Sequence, residues 1–256
     1  MSPNGRSGLP PWQTGLLRAT AFCSAPPDLN AVRWWEGLVG HTAENRNIRV
    51  GAGQLIEQGP IENRILQLQI IAARVDWLIL PSEAEGGAFQ NIGPLEASAS
   101  EFRRLIVPWL ADVAPALNRL AFGAQLYVPS ANLDEAREYV ARLVPYVRIN
   151  WRIIRDFIFQ VNRPGASRVW RDAGDLNRLA KVQAVSRRAV VATITGGSQT
   201  ITPISEEFAA YLELDINTPV LQTGELPRDR VVEIFDELVA NSIEIAERGI
   251  LDEHGS

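Results

Sequence analysis

The chain has 256 residues, of which 46% are hydrophobic and 21% are charged, and its formal net charge is −5. This composition excludes a disordered chain and leaves room for one large domain or two small ones. No apolar run reaches the roughly 18 residues that cross a membrane. The single cysteine, Cys23, excludes an internal disulfide, so we expect a cytoplasmic protein.

The first sixty residues predict an arm, a strand, a helix and a weak second strand. Residues 1–14 lack the apolar segment of a signal peptide and read as a flexible arm. Residues 16–24 predict a strand. Asp28 is placed to cap a helix over about 29–39. Residues 48–61 carry three glycines, which favours a bulged strand.

The stretch Asn63–Leu80 predicts a β-hairpin. Residues 64–71 alternate, imperfectly, between two faces, and residues 74–80 are nearly all apolar, as in a strand buried on both faces. The turn is predicted near Ala72 and Ala73.

A helix is predicted from Ser98, because Ser98 and Glu101 match a capping box and an apolar stripe follows at helical spacing. Pro108 and Pro115 should kink or end that helix. After a strand at 119–128, Asn132 and Glu135 predict a second capped helix.

The last hundred residues predict more strands and a final helix. Residues 153–162 and 208–217 alternate as strands do, with a turn at Gly196-Gly197-Ser198 between them. The final helix is predicted from Pro227 to Gly249, followed by a frayed tail at 251–256.

Two ungapped matches indicate an internal duplication. Asn63–Leu80 aligns with 177–194, and 28–35 aligns with 132–139. We therefore predict an α+β fold of two pseudo-repeats, each strand-helix-strands-helix, in a mostly antiparallel twisted sheet with helices on one face. The halves would span 15–118 and 119–250 and form one compact unit. Chance recurrence of this element order is the alternative.

Four segments carry a family resemblance: TAFCSAPPD, WWEGL, ENRILQLQ through VDWLILP, and YLELDINTP before the final helix. In these segments the chain resembles a sporadically distributed, functionally uncharacterised bacterial protein family of about this length. The resemblance implies a bacterial cytoplasmic protein and supplies no activity and no site residues. The duplicated plan is also similar to saddle-shaped sheets of the TATA-binding-protein type, an analogy of fold alone.

The residues that usually carry catalysis or bind metals are sparse. The only histidines are His41 and His254, so a zinc site lacks ligands. Cys23 ends an apolar strand, which favours a core residue over a nucleophile. The glycines near 51–53 and 195–198 fit turns better than a phosphate loop. We predict no catalytic residue, no metal and no cofactor.

Charge is unevenly distributed along the chain. Residues 142–188 hold eleven basic and three acidic residues, whereas residues 205–256 hold thirteen acidic and three basic ones. One interpretation is an arginine-rich surface for phosphate or an acidic protein; the other is that the acidic final helix neutralises the basic strands. The candidate contact residues are Arg148, Arg152, Arg155, Arg168, Arg171, Arg187 and Arg188.

Together these patterns favour a non-enzymatic protein that binds a protein partner, or associates with itself, through an open sheet face or edge. Nucleic-acid binding through the arginine-rich segment is the first alternative. An enzyme with an unrecognised site is the second, and no membrane contact is expected.

Overall fold

A computed structural model describes residues 11–82, 89–171, 174–195, 198–220 and 224–250, with the side chains of 189–205 left undescribed. These residues form ten strands and four helices. The strands are β1 (Gln13–Cys23), β2 (Asn45–Arg49), β3 (Gln54–Ile61), β4 (Arg64–Ile71), β5 (Arg74–Pro81), β6 (Leu117–Ser130), β7 (Ile158–Asn162), β8 (Gly165–Ala166), β9 (Asp175–Thr195) and β10 (Ser198–Asn217). The helices are α1 (Trp34–Val39), α2 (Leu95–Pro108), α3 (Leu133–Leu143) and α4 (Val231–Arg248).

The strands form one open sheet in the order β2-β3-β4-β5-β1-β6-β10-β9-β7, with β8 paired to β9. Every described strand pair is antiparallel. The predictions of an α+β fold and a mostly antiparallel sheet are therefore confirmed. β1 lies in the middle, between the block β2–β5 and the later strands.

The described helices pack against one face of the sheet and enclose the core. Phe122 of β6 contacts Phe102 of α2 and Phe235 of α4, with ring centroids 6.4 and 6.0 Å apart. Trp35 of α1 stacks on Trp77 of β5 at 6.4 Å. All five rings are fully buried. The opposite face carries no described helix, and we call it the open face.

The predicted Asn63–Leu80 hairpin is confirmed as β4 and β5. Ile71 pairs with Arg74 across a two-residue turn, in which Ala72 adopts a positive φ of 52°. Leu66, Leu68 and Ile70 are fully buried on the helix-covered face. The β4 residues between them face the other way because side chains alternate along a strand.

The predicted copy of this hairpin at 177–194 is wrong. Those residues lie within one continuous strand, β9, which pairs with an equally long β10 up to Thr195 and Ser198. Arg188 lies in mid-strand and forms an ion pair of 3.2 Å with Glu206 of β10. Because the long partner strand extends the ladder, no turn is needed near Arg188. The wider duplication is not confirmed.

Several element boundaries also differ from prediction. Asp28 accepts a hydrogen bond from the Asn30 N–H and forms a turn, so α1 begins only at Trp34. The bulged strand predicted at 48–61 is two strands, because β2 begins already at Asn45 and pairs with β3 after a short turn. The strand predicted at 153–162 begins only at Ile158.

The two predicted capping boxes have different outcomes. Ser98 lies inside α2, which begins at Leu95, and its hydroxyl donates to the Ile92 carbonyl instead of capping. Asn132 caps α3 as predicted, because its side-chain oxygen accepts from the Glu135 N–H at 2.9 Å.

Predictions for the two ends of the chain are tested only in part. β1 begins at Gln13, so the arm predicted at 1–14 is shorter than expected. The structure does not describe residues 1–10, the predicted tail at 251–256, or the predicted turn glycines Gly196 and Gly197. α4 follows Pro227 after one short turn and ends before Gly249, as predicted.

Candidate protein-binding face

The open face is built from alternate residues of β1 to β7, β9 and β10. Paired residues on neighbouring antiparallel strands share a face. Trp77 pairs with Leu68 and Ala19 on the helix-covered side. Leu78, the next residue, pairs with Gln67 and Arg18 on the open side. The register therefore assigns each open-face side chain to a row that crosses the sheet.

One region of the open face holds a contiguous group of uncharged side chains, bordered by Arg49 of β2, Arg74 and Asp76 of β5, and Arg18 of β1. We call these side chains the uncharged patch: Gln54, Ile56, Gln58 and Pro60 of β3; Ile65, Gln67, Gln69 and Ile71 of β4; Leu78 and Leu80 of β5; and Leu16 of β1. All eleven are at least partly exposed, and Ile71 is 44% exposed. Aliphatic side chains and amide groups are thus interspersed on one surface.

The boundary of the uncharged patch is a buried ionic network around Asp76. Its carboxylate accepts from the Thr20 hydroxyl at 2.5 Å and lies 2.8 Å from the Arg74 guanidinium. Arg74 and Arg119 flank the Phe22 ring, with guanidinium carbons 5.8 and 5.2 Å from its centroid. Because Asp76 is only 4% exposed, these partners are what stabilise its charge.

The other half of the open face is polar and internally bonded. Arg119 donates to the Asn217 side-chain oxygen at 2.8 Å, and Asn177 donates to the same oxygen at 3.0 Å. Asn217 in turn donates to Asp215, whose second oxygen lies 3.6 Å from Arg18. Arg18 and Asp215 are thus paired within the same sheet, and Arg119 is bound by the neutral Asn217 oxygen.

An aromatic cluster closes the end of this polar half. Tyr127 contacts Tyr211 and Phe89, with ring centroids 5.3 and 5.1 Å apart. Its hydroxyl accepts from Arg187 at 2.8 Å, and its ring lies over Gly15, where a Cβ atom would come within 2.2 Å. Burial, and secondarily the Glu213 carboxylate, raise the pKa of Tyr211. Phe89 precedes α2, so a connecting segment covers this corner of the sheet.

The seven candidate arginines are all exposed, but they lie on three different segments. Arg148, Arg152 and Arg155 lie between α3 and β7. Arg168 and Arg171 lie between β8 and β9. The remaining two, Arg187 and Arg188, lie in β9.

These segments differ in their acidic partners. Arg168 is 4.0 Å from Glu244 of α4, and Arg188 is paired with Glu206. The backbone N–H of Arg168 donates to Glu237 of α4 at 2.6 Å. The loop trio Arg148, Arg152 and Arg155 has no carboxylate within ion-pair distance among the described residues. The acidic helix therefore meets only part of the basic segment.

The groups considered for catalysis are not arranged for it. Cys23 is buried, and burial raises the pKa of its thiol to about 11, which disfavours the nucleophilic thiolate. His41 is exposed and contacts only the Thr42 carbonyl. Among the described residues, no three histidine, cysteine or acidic side chains converge to hold a metal.

Sequence reasoning missed the uncharged patch because it looked for concentrations of charge. The sequence signal for this patch is a run of alternate strand positions that lack charge. Between Gln54 and Leu80 the charged residues are Glu57, Glu62, Arg64, Arg74 and Asp76. Glu57 and Arg64 fall on the helix-covered face and Glu62 falls in a turn. Arg74 and Asp76 fall on the open face at the border of the patch, where they pair with Ile71 and Gln69. Scoring each strand face separately for missing charge would have found it.

Comparisons with known proteins return no relative. No family model, no curated protein and no solved structure matches the chain. Among the described residues, no helix is both long enough and apolar enough to cross a membrane.

Proposed function

We propose that this protein is a non-enzymatic interaction protein that binds a partner protein through the uncharged patch. The observation that supports the proposal is the patch itself: eleven contiguous, partly exposed and uncharged side chains from β1, β3, β4 and β5, with the charged residues of these strands at its border. Depletion of charge at the centre of a surface is a compositional mark of protein interfaces. The bacterial cytoplasmic setting implied by the family resemblance is part of this proposal.

The chemistry of the patch defines the partner surface. Ile56, Ile65, Leu78 and Leu80 offer aliphatic area, and their burial would drive association. The amides of Gln58, Gln67 and Gln69 lie between them and can donate and accept hydrogen bonds. A mainly uncharged protein surface fits this arrangement. A nucleic acid does not, because phosphate recognition requires cations.

Capture with matched variants tests the proposal. The tagged protein is cross-linked in an extract of its source, the captured protein is identified, and binding is remeasured with purified components by calorimetry. We expect Gln67→Glu and Leu78→Glu to weaken binding at least roughly tenfold by burying a charge at the interface. Gln160→Glu, an equivalent change on β7 of the polar half, should leave binding unchanged. Equal binding by all three variants would contradict the proposal.

Nucleic-acid binding is a second candidate, supported by the loop trio Arg148, Arg152 and Arg155. Three exposed arginines within eight residues can contact adjacent phosphates. Fluorescence anisotropy with a labelled single-stranded oligonucleotide tests it at increasing salt. The triple Arg→Gln variant should lose binding, and the log of the association constant should fall linearly with log salt. Absence of binding at low salt would rule this candidate out.

A further inference from the structure

The hairpin of β9 and β10 extends beyond the rest of the sheet. β7 pairs with β9 only as far as Gln183, and β6 pairs with β10 only from Phe208. The pairing of β9 with β10 nevertheless continues to Thr195 and Ser198. Residues 184–195 and 198–207 thus form a two-stranded projection, which we call the ribbon arm. At roughly 3.4 Å per residue, twelve β9 residues extend about 40 Å.

The base of the ribbon arm is attached, whereas the outer part has no described neighbour. Val185 and Arg187 contact the aromatic cluster, and Glu207 accepts from the Phe89 N–H at 3.3 Å. Beyond Arg188, the described residues provide no strand beside either edge of the ribbon. Residues 189–205 contain no charged residue. Each edge is a row of backbone N–H and C=O groups that can pair with another strand.

The edges of the described sheet differ in how they are protected. β2 is fully exposed and carries Arg46 and Arg49, and charges on an edge oppose pairing. β7 is only five residues long. On the ribbon arm, β10 contains Pro203, which lacks an N–H, and a register shift follows it. The β9 edge at 189–195 has neither charge nor proline.

We propose that two copies of this protein associate by antiparallel pairing of residues 189–195 of β9 about a two-fold axis. The identical segment in a second copy supplies an edge of equal length, and no like charges oppose each other in that pairing. Pro203 and the register shift interrupt the β10 edge, so the longer continuous edge of each arm is that of β9. Pairing β9 with β9 about a two-fold axis uses that edge in both copies and closes as a dimer. This contact is separate from the uncharged patch, so either proposal can fail without the other.

Removal of the outer ribbon arm tests the dimer. In one variant, residues 189–205 are replaced by Asn-Gly, which joins Arg188 to Glu206 by a short hairpin turn. Light scattering after size exclusion should give a dimer for the full chain and a monomer for the variant. The far-UV circular dichroism of the variant should lose only the strand signal of the removed residues, and its thermal transition should remain cooperative. A monomeric full chain, or a variant that stays dimeric through β7 or another surface, would overturn the proposal.

Disulfide trapping supplies a second test if the shortened chain does not fold. Ala192 is the midpoint of 189–195, and Ile201 pairs with it on β10. Directly opposed residues of antiparallel strands place their Cα atoms within the range that a disulfide bridges. Under mild oxidation, Ala192→Cys should cross-link two copies roughly tenfold faster than Ile201→Cys, because only β9 forms the contact. Equal rates, or no cross-linking of either, would overturn the proposal; the native Cys23 is buried.

Discussion

The two halves of the open face use the same strand geometry with opposite chemistry. In the polar half, Asp215 lies beside Arg18 and Asn217, and Glu213 lies beside Lys181 and Tyr211. In the uncharged patch, glutamine and aliphatic side chains alternate without ionic partners. The polar half therefore finds most of its polar partners within one chain, whereas the uncharged patch gains further free energy when another surface covers it.

This difference separates stability from binding. Side chains of the polar half and its boundary should matter for folding, because removing one partner leaves another buried group unsatisfied. Side chains of the uncharged patch should matter little for folding and much for association. For each of the following variants, the free energy of unfolding and partner binding can be measured separately.

The largest effect is expected at the boundary of the patch. Asp76→Ala should lower the free energy of unfolding by about 2–3 kcal/mol, because it leaves the Thr20 hydroxyl and the Arg74 guanidinium without their acceptor. Urea unfolding followed by tryptophan fluorescence measures the loss. Gln69→Ala, at the position paired with Asp76 on β4, is the control and should cost about 0.5 kcal/mol or less. Equal losses would contradict the contrast.

A steric change in the polar half should have the next largest effect. In Gly15→Ala the new methyl would occupy the position of the Tyr127 ring, 2.2 Å away, so the aromatic cluster must shift. We expect a loss of about 1–2 kcal/mol on thermal unfolding and an altered near-UV spectrum from tyrosine. Gly37→Ala in α1, where nothing lies within 4 Å, should be neutral or slightly stabilising. A neutral Gly15→Ala would show that the ring is not fixed there.

Directly beneath the patch, a pH-dependent effect is expected from Glu57 of β3. Burial raises the pKa of Glu57, although Arg46 at 3.2 Å offsets part of the rise. A raised pKa means that folding favours the protonated acid, so this contribution to stability is present at low pH. It is lost as the pH rises through the folded-state pKa. The stability of Glu57→Gln relative to wild type should therefore increase with pH in urea titrations, and a constant difference would contradict this assignment.

The smallest effect on stability is expected within the patch. Gln67→Ala should change the free energy of unfolding by no more than about 0.5 kcal/mol, because its amide forms no described hydrogen bond inside the chain. The same variant should weaken partner binding measurably. A destabilisation comparable with that of Asp76→Ala would mean that the patch is a structural surface instead.

The sequence predicted elements whose local signals agree with their tertiary contacts. The β4–β5 hairpin was found because alternation, an apolar strand and a short turn coincide there. Asn132 was found because its cap needs only Glu135, three residues away. Asp28 offers the same local signal but forms a turn, and α1 begins only at Trp34. There Trp34 packs against Trp109 and Trp35 stacks on Trp77. Contacts so distant in sequence cannot be read from a local window.

The candidate site was less predictable because it depends on register. The charge of residues 142–188 suggested one arginine surface, yet the segment contributes a loop, a turn region and a strand to different places. The prediction of a hairpin at 177–194 was wrong because it rested on a match to Asn63–Leu80, and similar residues do not show where a ladder stops. The length of β9 became evident only from the pairing with β10.

The central place of β1 has a consequence for the order in which the protein folds. Its partner β5 lies within the first eighty residues, so the block β1–β5 can complete its ladders before the rest of the chain takes part. β6 must then close a much longer loop to pair with the other edge of β1, and long-range strand pairing is slow. We expect two kinetic phases in refolding, with burial of Trp77 in the first and docking of Phe122 in the second. Until that second phase, the free edge of β1 is the surface most exposed to mispairing.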